Sequence, residues 1–231
     1  RANEQIYNNS TEHTKIIYVG SLSGLLPAGP GHSHQSVRDI SALAAMPNLV
    51  LVEPSCEQEV EMLMDWCVNS NPHSSYIRLT SVPWKVNFSL PKDYKVQLGQ
   101  GCILSEGNEI CIIAYGPIPV SLAFDSSKQA LEAFNVSIKI INLPWLNYID
   151  RDWMKEQLSE CGLVISIDNH YREGGQGSRI GEMLSSDMGR AKVYERIAID
   201  SIPVCGTNEE VLEAHNMVEK NVLKIINNFL D

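Results

Sequence analysis

Two histidines, His32 and His34, sit at the end of a glycine- and proline-rich loop that begins at Gly24 and leads into a helix-patterned stretch stopped by Pro47-Asn48. A neutral imidazole there can donate to, or accept from, a substrate oxygen or carbonyl. A helix starting just behind the pair would add free N–H groups and a dipole that favour anions and disfavour the imidazolium. Loop histidines can equally cap the helix or face solvent. Arg78 ends a strand-patterned stretch, the position where open α/β sheets collect ligand-facing side chains, and a buried salt bridge would suit it as well. The segment Asn169–Gly181, N-H-Y-R-E-G-G-Q-G-S-R-I-G, follows an apolar run. Its backbone N–H groups could cradle an anion, or its glycines could permit a tight strand-to-helix turn. The glycine spacing does not fit the dinucleotide fingerprint G-x-G-x-x-G. His170, Arg172 and Glu173 in this segment are expected to form an exposed polar cluster.

The elements that must position these groups follow from periodicity. Residues 1–9 read as the last turns of a helix. Lys15–Val19, Leu49–Glu53 and Ser75–Leu79 read as short buried strands. A helix is expected over Gln35–Ala45, carrying Val37, Ile40, Leu43 and Ala44 inward, and another from a Ser55–Gln58 capping box to about Val68. Residues 83–101 lose periodicity and read as a linker. A second unit follows, with strands at 109–115, 136–142, 163–168 and 192–198. Its helices are expected at 119–134, 150–161 and 178–185, with a single terminal helix from a Thr207–Glu210 capping box. Short crossovers between strands predict an α/β fold: two three-layer α/β domains with mainly parallel sheets.

Composition excludes several functions. The chain has 231 residues, 44% apolar and 20% charged, as in an ordinary globular protein. Its net charge of −10, with no Lys/Arg run, argues against nucleic acid or an anionic membrane as partner. No apolar segment reaches membrane-spanning length and the N-terminus has no signal-peptide pattern, so a cytoplasmic location is expected. The six cysteines lack C-x-x-C or metal-ligand spacing and are expected to be buried thiols; no metal site is expected.

The order of these pieces resembles the transketolase-like thiamine diphosphate enzymes, transketolase and 1-deoxy-D-xylulose-5-phosphate synthase. The opening R-A-x-E-Q-I resembles a helix of their pyrimidine-binding domain. His34-Gln35, followed thirteen residues after the histidine by Pro47-Asn48, resembles their G-x-T-H-Q…P-N block, with Asp39-Ile40-Ser41 nearest the synthase form. Pro54-x-x-x-x-Glu59, Tyr76-Ile77-Arg78, Gly116 and Gly174-Gly175-x-Gly177 extend the resemblance over essentially the whole chain. It implies the end of the pyrimidine-binding domain at 1–90, a linker at 91–98 and the transketolase C-terminal domain at 99–231.

Such enzymes use the thiazolium ylide of thiamine diphosphate as nucleophile and electron sink. By resemblance His34 is the histidine near the substrate carbonyl, with His32 the alternative if the loop is aligned on G-P-x-H, and Arg78 lies near the acceptor pocket. Two departures matter. Ile16–Ser33 holds no Lys, Arg, Asp or Glu, and Y-I-R-L-T-S keeps one arginine where the synthase has a second soon after. A phosphorylated keto or sugar substrate is therefore less well provided for than in the family at large.

The family's ring-activating glutamate and stacking aromatics would lie before Arg1, and its G-D-G motif for diphosphate and Mg2+ belongs to another domain. The chain, which opens on Arg1 rather than Met, is thus read as the C-terminal part of a longer or divided enzyme. Neither thiamine diphosphate nor Mg2+ is expected to bind to it alone. The expected partners are an N-terminal diphosphate-binding domain or subunit and a second copy in a homodimer. The intact enzyme would transfer a two-carbon ketol unit or perform a related decarboxylating condensation. Two other readings are the β subunit of a 2-oxo-acid dehydrogenase decarboxylase component and a non-catalytic assembly module.

Overall fold

The structure, a computed structural model, describes residues 2–187 and 192–231; Arg1, the first residue of the opening-helix reading, lies outside the described residues. The first unit comprises α1 (Ala2–Thr11), β1 (Ile17–Gly20), α2 (Asp39–Leu43), β2 (Leu49–Val52), α3 (Glu57–Asp65) and β3 (Ser74–Arg78), with a π turn at Trp66–Ser70 continuing α3. Its three strands are parallel in the order β1-β3-β2. The second unit runs β4 (Cys102–Ser105), β5 (Ile110–Ala114), α4 (Pro117–Phe134), β6 (Ile138–Asn142), α5 (Arg151–Leu158), β7 (Leu163–Tyr171), α6 (Gln176–Asp187), β8 (Val193–Ile199), α7 (Asn208–Ala214) and α8 (Glu219–Leu230). The strand order is β4-β6-β5-β7-β8, parallel except for β4.

The central strands carry the reason for this order in their composition. All four residues of L-V-L-V in β2 and all five of I-C-I-I-A in β5 are buried, as expected for parallel strands covered by helices on both faces. α4 begins with Pro117, whose missing N–H costs nothing at a helix start, and ends at Asn135 in the left-handed conformation. Asp150 caps α5 by accepting from the Trp153 N–H at 3.1 Å.

The two sheets are stitched together. The free edge of β2 meets the segment after β6: Glu53 N–H donates to Pro144 O (2.9 Å) and Leu146 N–H to Leu51 O (2.9 Å), while the Asn147 amide bonds both N–H of Leu51 and O of Leu49. Val50, Val52 and Ile77 of the first sheet share one apolar cluster with Cys111, Ile113, Ile141, Met154 and Leu158 of the second. No helix among the described residues is long and apolar enough to cross a membrane.

Five local expectations need correction. The helix expected over 35–45 is only α2, because Ser36 O is taken by Gly24 N–H and Arg78, and Val37 O by Tyr171 N–H, which keeps these carbonyls out of a helix. His32 and His34 therefore do not sit at a helix N-terminus, and the dipole argument for them lapses. The Ser55–Gln58 capping box does not form; Ser55 gives both its N–H and its hydroxyl to Glu59 Oε2 at 2.7 Å, and Cys56 is the N-cap. The terminal helix is two helices, parted at Asn216, whose φ is +61°; the Thr207–Glu210 box does form at the first of them. Finally, Cys56 is half-buried and Cys205 exposed rather than both buried.

Candidate active site: a clamped histidine loop

The loop from Gly24 to Arg38 is glycine-rich at its apex but apolar at its base. Leu25, Leu26, Ala28 and Val37 are buried in the apolar cluster that the second sheet shares with α4 and α8. Buried Gln35 donates its amide to Leu25 O (3.0 Å) and Val204 O (3.3 Å), and Ala28 N–H donates to Asn208 Oδ1 (3.2 Å). The exposed Cys205 thiol donates to Gly29 O at 2.9 Å. What remains outside is the apex: His32, Ser33 and His34 are all exposed, with Ser33 Oγ 3.0 Å from His34 Nδ1. The structure thus places both histidines together on a solvent-facing turn whose feet are fixed in the second unit's core.

Arg78 lies beneath the loop, at the end of β3, with no exposure. Of the two positions open to it from sequence, ligand-facing or salt-bridged, it occupies the second. Nε donates to Asp39 Oδ2 (2.9 Å), Nη1 to Glu53 Oε2, and Nη2 to Ser36 O (2.7 Å) and Asn169 O (2.9 Å). Tyr76 adds its hydroxyl to Asp39 Oδ2 at 2.9 Å. Burial works against the Arg78 charge, but Glu53 and Asp39 outweigh it and hold the guanidinium protonated. Burial likewise raises Asp39, yet Arg78 and the Tyr76 hydrogen bond bring it below its ordinary value. Glu53, wholly buried, is pushed up by burial against the pull of Arg78. The Coulomb gain and the hydrogen bonds here offset a large desolvation cost, so the network specifies an arrangement more than it adds stability.

His170 is not exposed but fully buried, because β7 runs on past Asp168 and carries it under α2. Its Nδ1 faces Tyr171 O at 2.8 Å and its Nε2 accepts from Ser41 N–H at 3.3 Å, which assigns the neutral ring with the proton on Nδ1. Burial draws its pKa down to about 4. Arg172 pairs with Asp200, and Glu173 is exposed. The glycine segment resolves as a turn: Asp168 Oδ2 accepts from Gly177 N–H at 2.8 Å, so a carboxylate of the chain itself occupies the donor an anion would use.

Residues 99–222, more than half of the chain, match the family described as transketolase, C-terminal domain, and residues 1–81 match transketolase, pyrimidine binding domain. The chain belongs to the transketolase family. The 1-deoxy-D-xylulose-5-phosphate synthase of Clostridium tetani is 24% identical over 97% of this chain and 35% of its own length. A subunit of apulose-4-phosphate transketolase from Actinobacillus succinogenes is 25% identical over 97% of this chain and 71% of its own. A split-gene transketolase, solved as an inactive beta4 tetramer, shares the fold with a TM-score of 0.86 at 23% identity, covering 99% of this chain and 71% of that one. Transketolase from Campylobacter jejuni gives 0.76 at 16% identity, over 96% and 33%. The chain spans about a third of the length of the synthase relatives it matches.

No group of three or more His, Cys, Asp or Glu among the described residues is placed to hold a metal ion. The buried carboxylates are engaged inside the protein: Glu53 and Asp39 with Arg78, Asp168 with Gly177, and Glu59 with Ser55, Asn142 (2.8 Å) and Tyr94 (3.2 Å).

Sequence reasoning missed the roles of Asp39, Glu53, Gln35 and Asn169. A signal was present for Glu53. A carboxylate ending a wholly apolar strand requires a cation, and Arg78 ends another strand. For Asn169 and Gln35 there was none, since Leu25 lies 144 residues from the first and Val204 lies 169 from the second.

Proposed function

We propose that this chain is the histidine-loop portion of a thiamine diphosphate-dependent, transketolase-like enzyme that, when complete, transfers a two-carbon ketol unit or carries out a related decarboxylating condensation. The observation that carries the proposal is the exposure of His32 and His34 on an apex whose base is buried and hydrogen-bonded, in a chain of the transketolase family. Solvent-facing imidazoles on a fixed turn are available to a keto or sugar substrate delivered from outside this chain. His34 meets the substrate oxygen, and His32 flanks it.

Arg78 acts from below, holding Ser36 and Asp39 in place; its four engaged N–H groups make it an organiser of the acceptor side rather than a direct ligand. Thiamine diphosphate, in the complete enzyme, supplies a nucleophilic carbon that also accepts electrons. The diphosphate- and Mg2+-binding groups come from an N-terminal domain or a separate chain; the names of two relatives, one a transketolase subunit and the other a split-gene transketolase, support that reading. The complete site lies between chains in a dimer.

The test combines this chain with a diphosphate-binding subunit, thiamine diphosphate and Mg2+, and follows two-carbon transfer from a ketose. Transfer is expected, and His34→Ala should lower kcat by about 10²–10⁴-fold, the range for loss of a proton-transferring side chain. Absence of transfer from every such mixture would overturn the proposal in favour of an assembly module. Oxidative decarboxylation of a 2-oxo acid instead would point to a dehydrogenase component.

A further inference from the structure

β7 is longer than its neighbours. After Ile167 its register with β8 shifts, and Asp168–Tyr171 runs out beneath the first unit. This extension touches the histidine loop or its support at every residue from 169 to 171. Leu25 N–H donates to Asn169 Oδ1 (3.0 Å), Arg78 Nη2 donates to Asn169 O (2.9 Å), His170 Nε2 accepts from Ser41 N–H (3.3 Å), and Tyr171 N–H donates to Val37 O (2.9 Å). Asn169 is fully buried. Its contact with the loop is tight: Gly24 has φ +73°, and a Cβ at that position would overlap the Asn169 amide. Gly24 N–H in turn donates to Ser36 O at 2.8 Å, the carbonyl that also accepts from Arg78. One residue of the second unit therefore meets both strands of the loop's neck, directly at Gly24–Leu25 and through Arg78 at Ser36.

We infer that Asn169 is the positioning residue for the histidine loop, and that the second unit contributes to catalysis by gripping the loop's neck through it. The inference rests on the proposed role of His34 for its catalytic meaning, but the grip itself can be read without activity. If Asn169 only filled core volume, its loss would loosen the protein everywhere or nowhere in particular. If it holds the neck, its loss frees the loop while the sheet stays closed.

Hydrogen–deuterium exchange on the whole chain separates these cases. Asn169→Ala should speed exchange of residues 24–37 about tenfold, the effect of losing roughly one buried hydrogen bond, with β5 and β6 unchanged. Gly24→Ala, which pushes on the same contact from the loop side, should give the same pattern. Asn169→Asp keeps the acceptor for Leu25 N–H and should return exchange to near the original rate. Unchanged exchange over 24–37 in both Asn169→Ala and Gly24→Ala, or an increase shared equally by β5 and β6, would overturn the inference.

In the complete enzyme, Asn169→Ala should lower kcat with KM within about twofold, because an interaction felt in the transition state is lost while substrate binding is kept. An equal fall in kcat for Asn169→Asp would also overturn it. If the unaltered enzyme shows no two-carbon transfer, the proposed function fails while the exchange result still decides the grip.

Discussion

At the scale of single residues, Arg78 and His170 are two buried bases with opposite fates: one is kept charged by two carboxylates, the other kept neutral by burial. Removing Arg78 would strand Glu53 in the core. Arg78→Ala is therefore expected to destabilise the chain by about 3–5 kcal/mol, the cost of breaking a buried ion pair from one side. The melting temperature should fall by roughly 10 °C on that basis. Arg78→Lys should recover only part of this, since an ammonium cannot reach four acceptors in a plane. Scanning calorimetry of the two variants checks the order, and a loss under about 1 kcal/mol in Arg78→Ala would contradict the network's role.

His170 makes a pH prediction. Its pKa is about 4 folded and near 6.5 unfolded, so the unfolded chain binds the proton first as pH drops. The contribution of His170 is thus complete above pH 6.5 and is lost between 6.5 and 4, by up to about 3 kcal/mol. Glu53, Glu59 and Asp168 are raised by burial and act in the opposite sense, adding stability on acidification. Urea unfolding of wild type against His170→Gln at pH 7 and pH 5 isolates the histidine. The gap between the two proteins should move in favour of the variant at pH 5, and a pH-independent gap would refute the assignment.

At the scale of elements, most of the fold was legible because parallel strands announce themselves as apolar runs and crossover helices by period and punctuation. L-V-L-V and I-C-I-I-A are found where periodicity puts them, and α4 starts at Pro117, two residues before the expected 119. What failed were elements governed by distant partners. The first turn of the expected 35–45 helix is absent because its carbonyls bond to Gly24, Arg78 and Tyr171, and the antiparallel edge strand β4 hid in C-I-L-S, too short to declare itself. Gly116 shows how local and distant demands meet. Its φ is +72°, and a Cβ there would overlap Glu53 Oε1. Gly116→Ala should cost about 1–3 kcal/mol from backbone strain alone, before any displacement of Glu53. An unchanged melting temperature would show that the turn can relax and that Glu53 is not fixed by it.

At the scale of the whole molecule, the two units share an apolar cluster and a backbone stitch, so the histidine loop belongs to both. The spacing of His34 from Pro47-Asn48 pointed to the loop, but not to its grip. The grip depends on Asn169, which is remote in sequence and chemically ordinary. Nor could the fate of Arg78 be chosen from sequence, because a strand end is a place for ligands and for salt bridges alike.

On the function proposed above, this chain supplies the substrate-facing histidines and their support, while the groups that hold thiamine diphosphate and Mg2+ come from elsewhere. Titration of thiamine diphosphate with Mg2+ into the 231-residue chain alone, followed by isothermal calorimetry, tests it directly. The account predicts no saturable heat, and Mg2+-dependent binding in the micromolar range would contradict it.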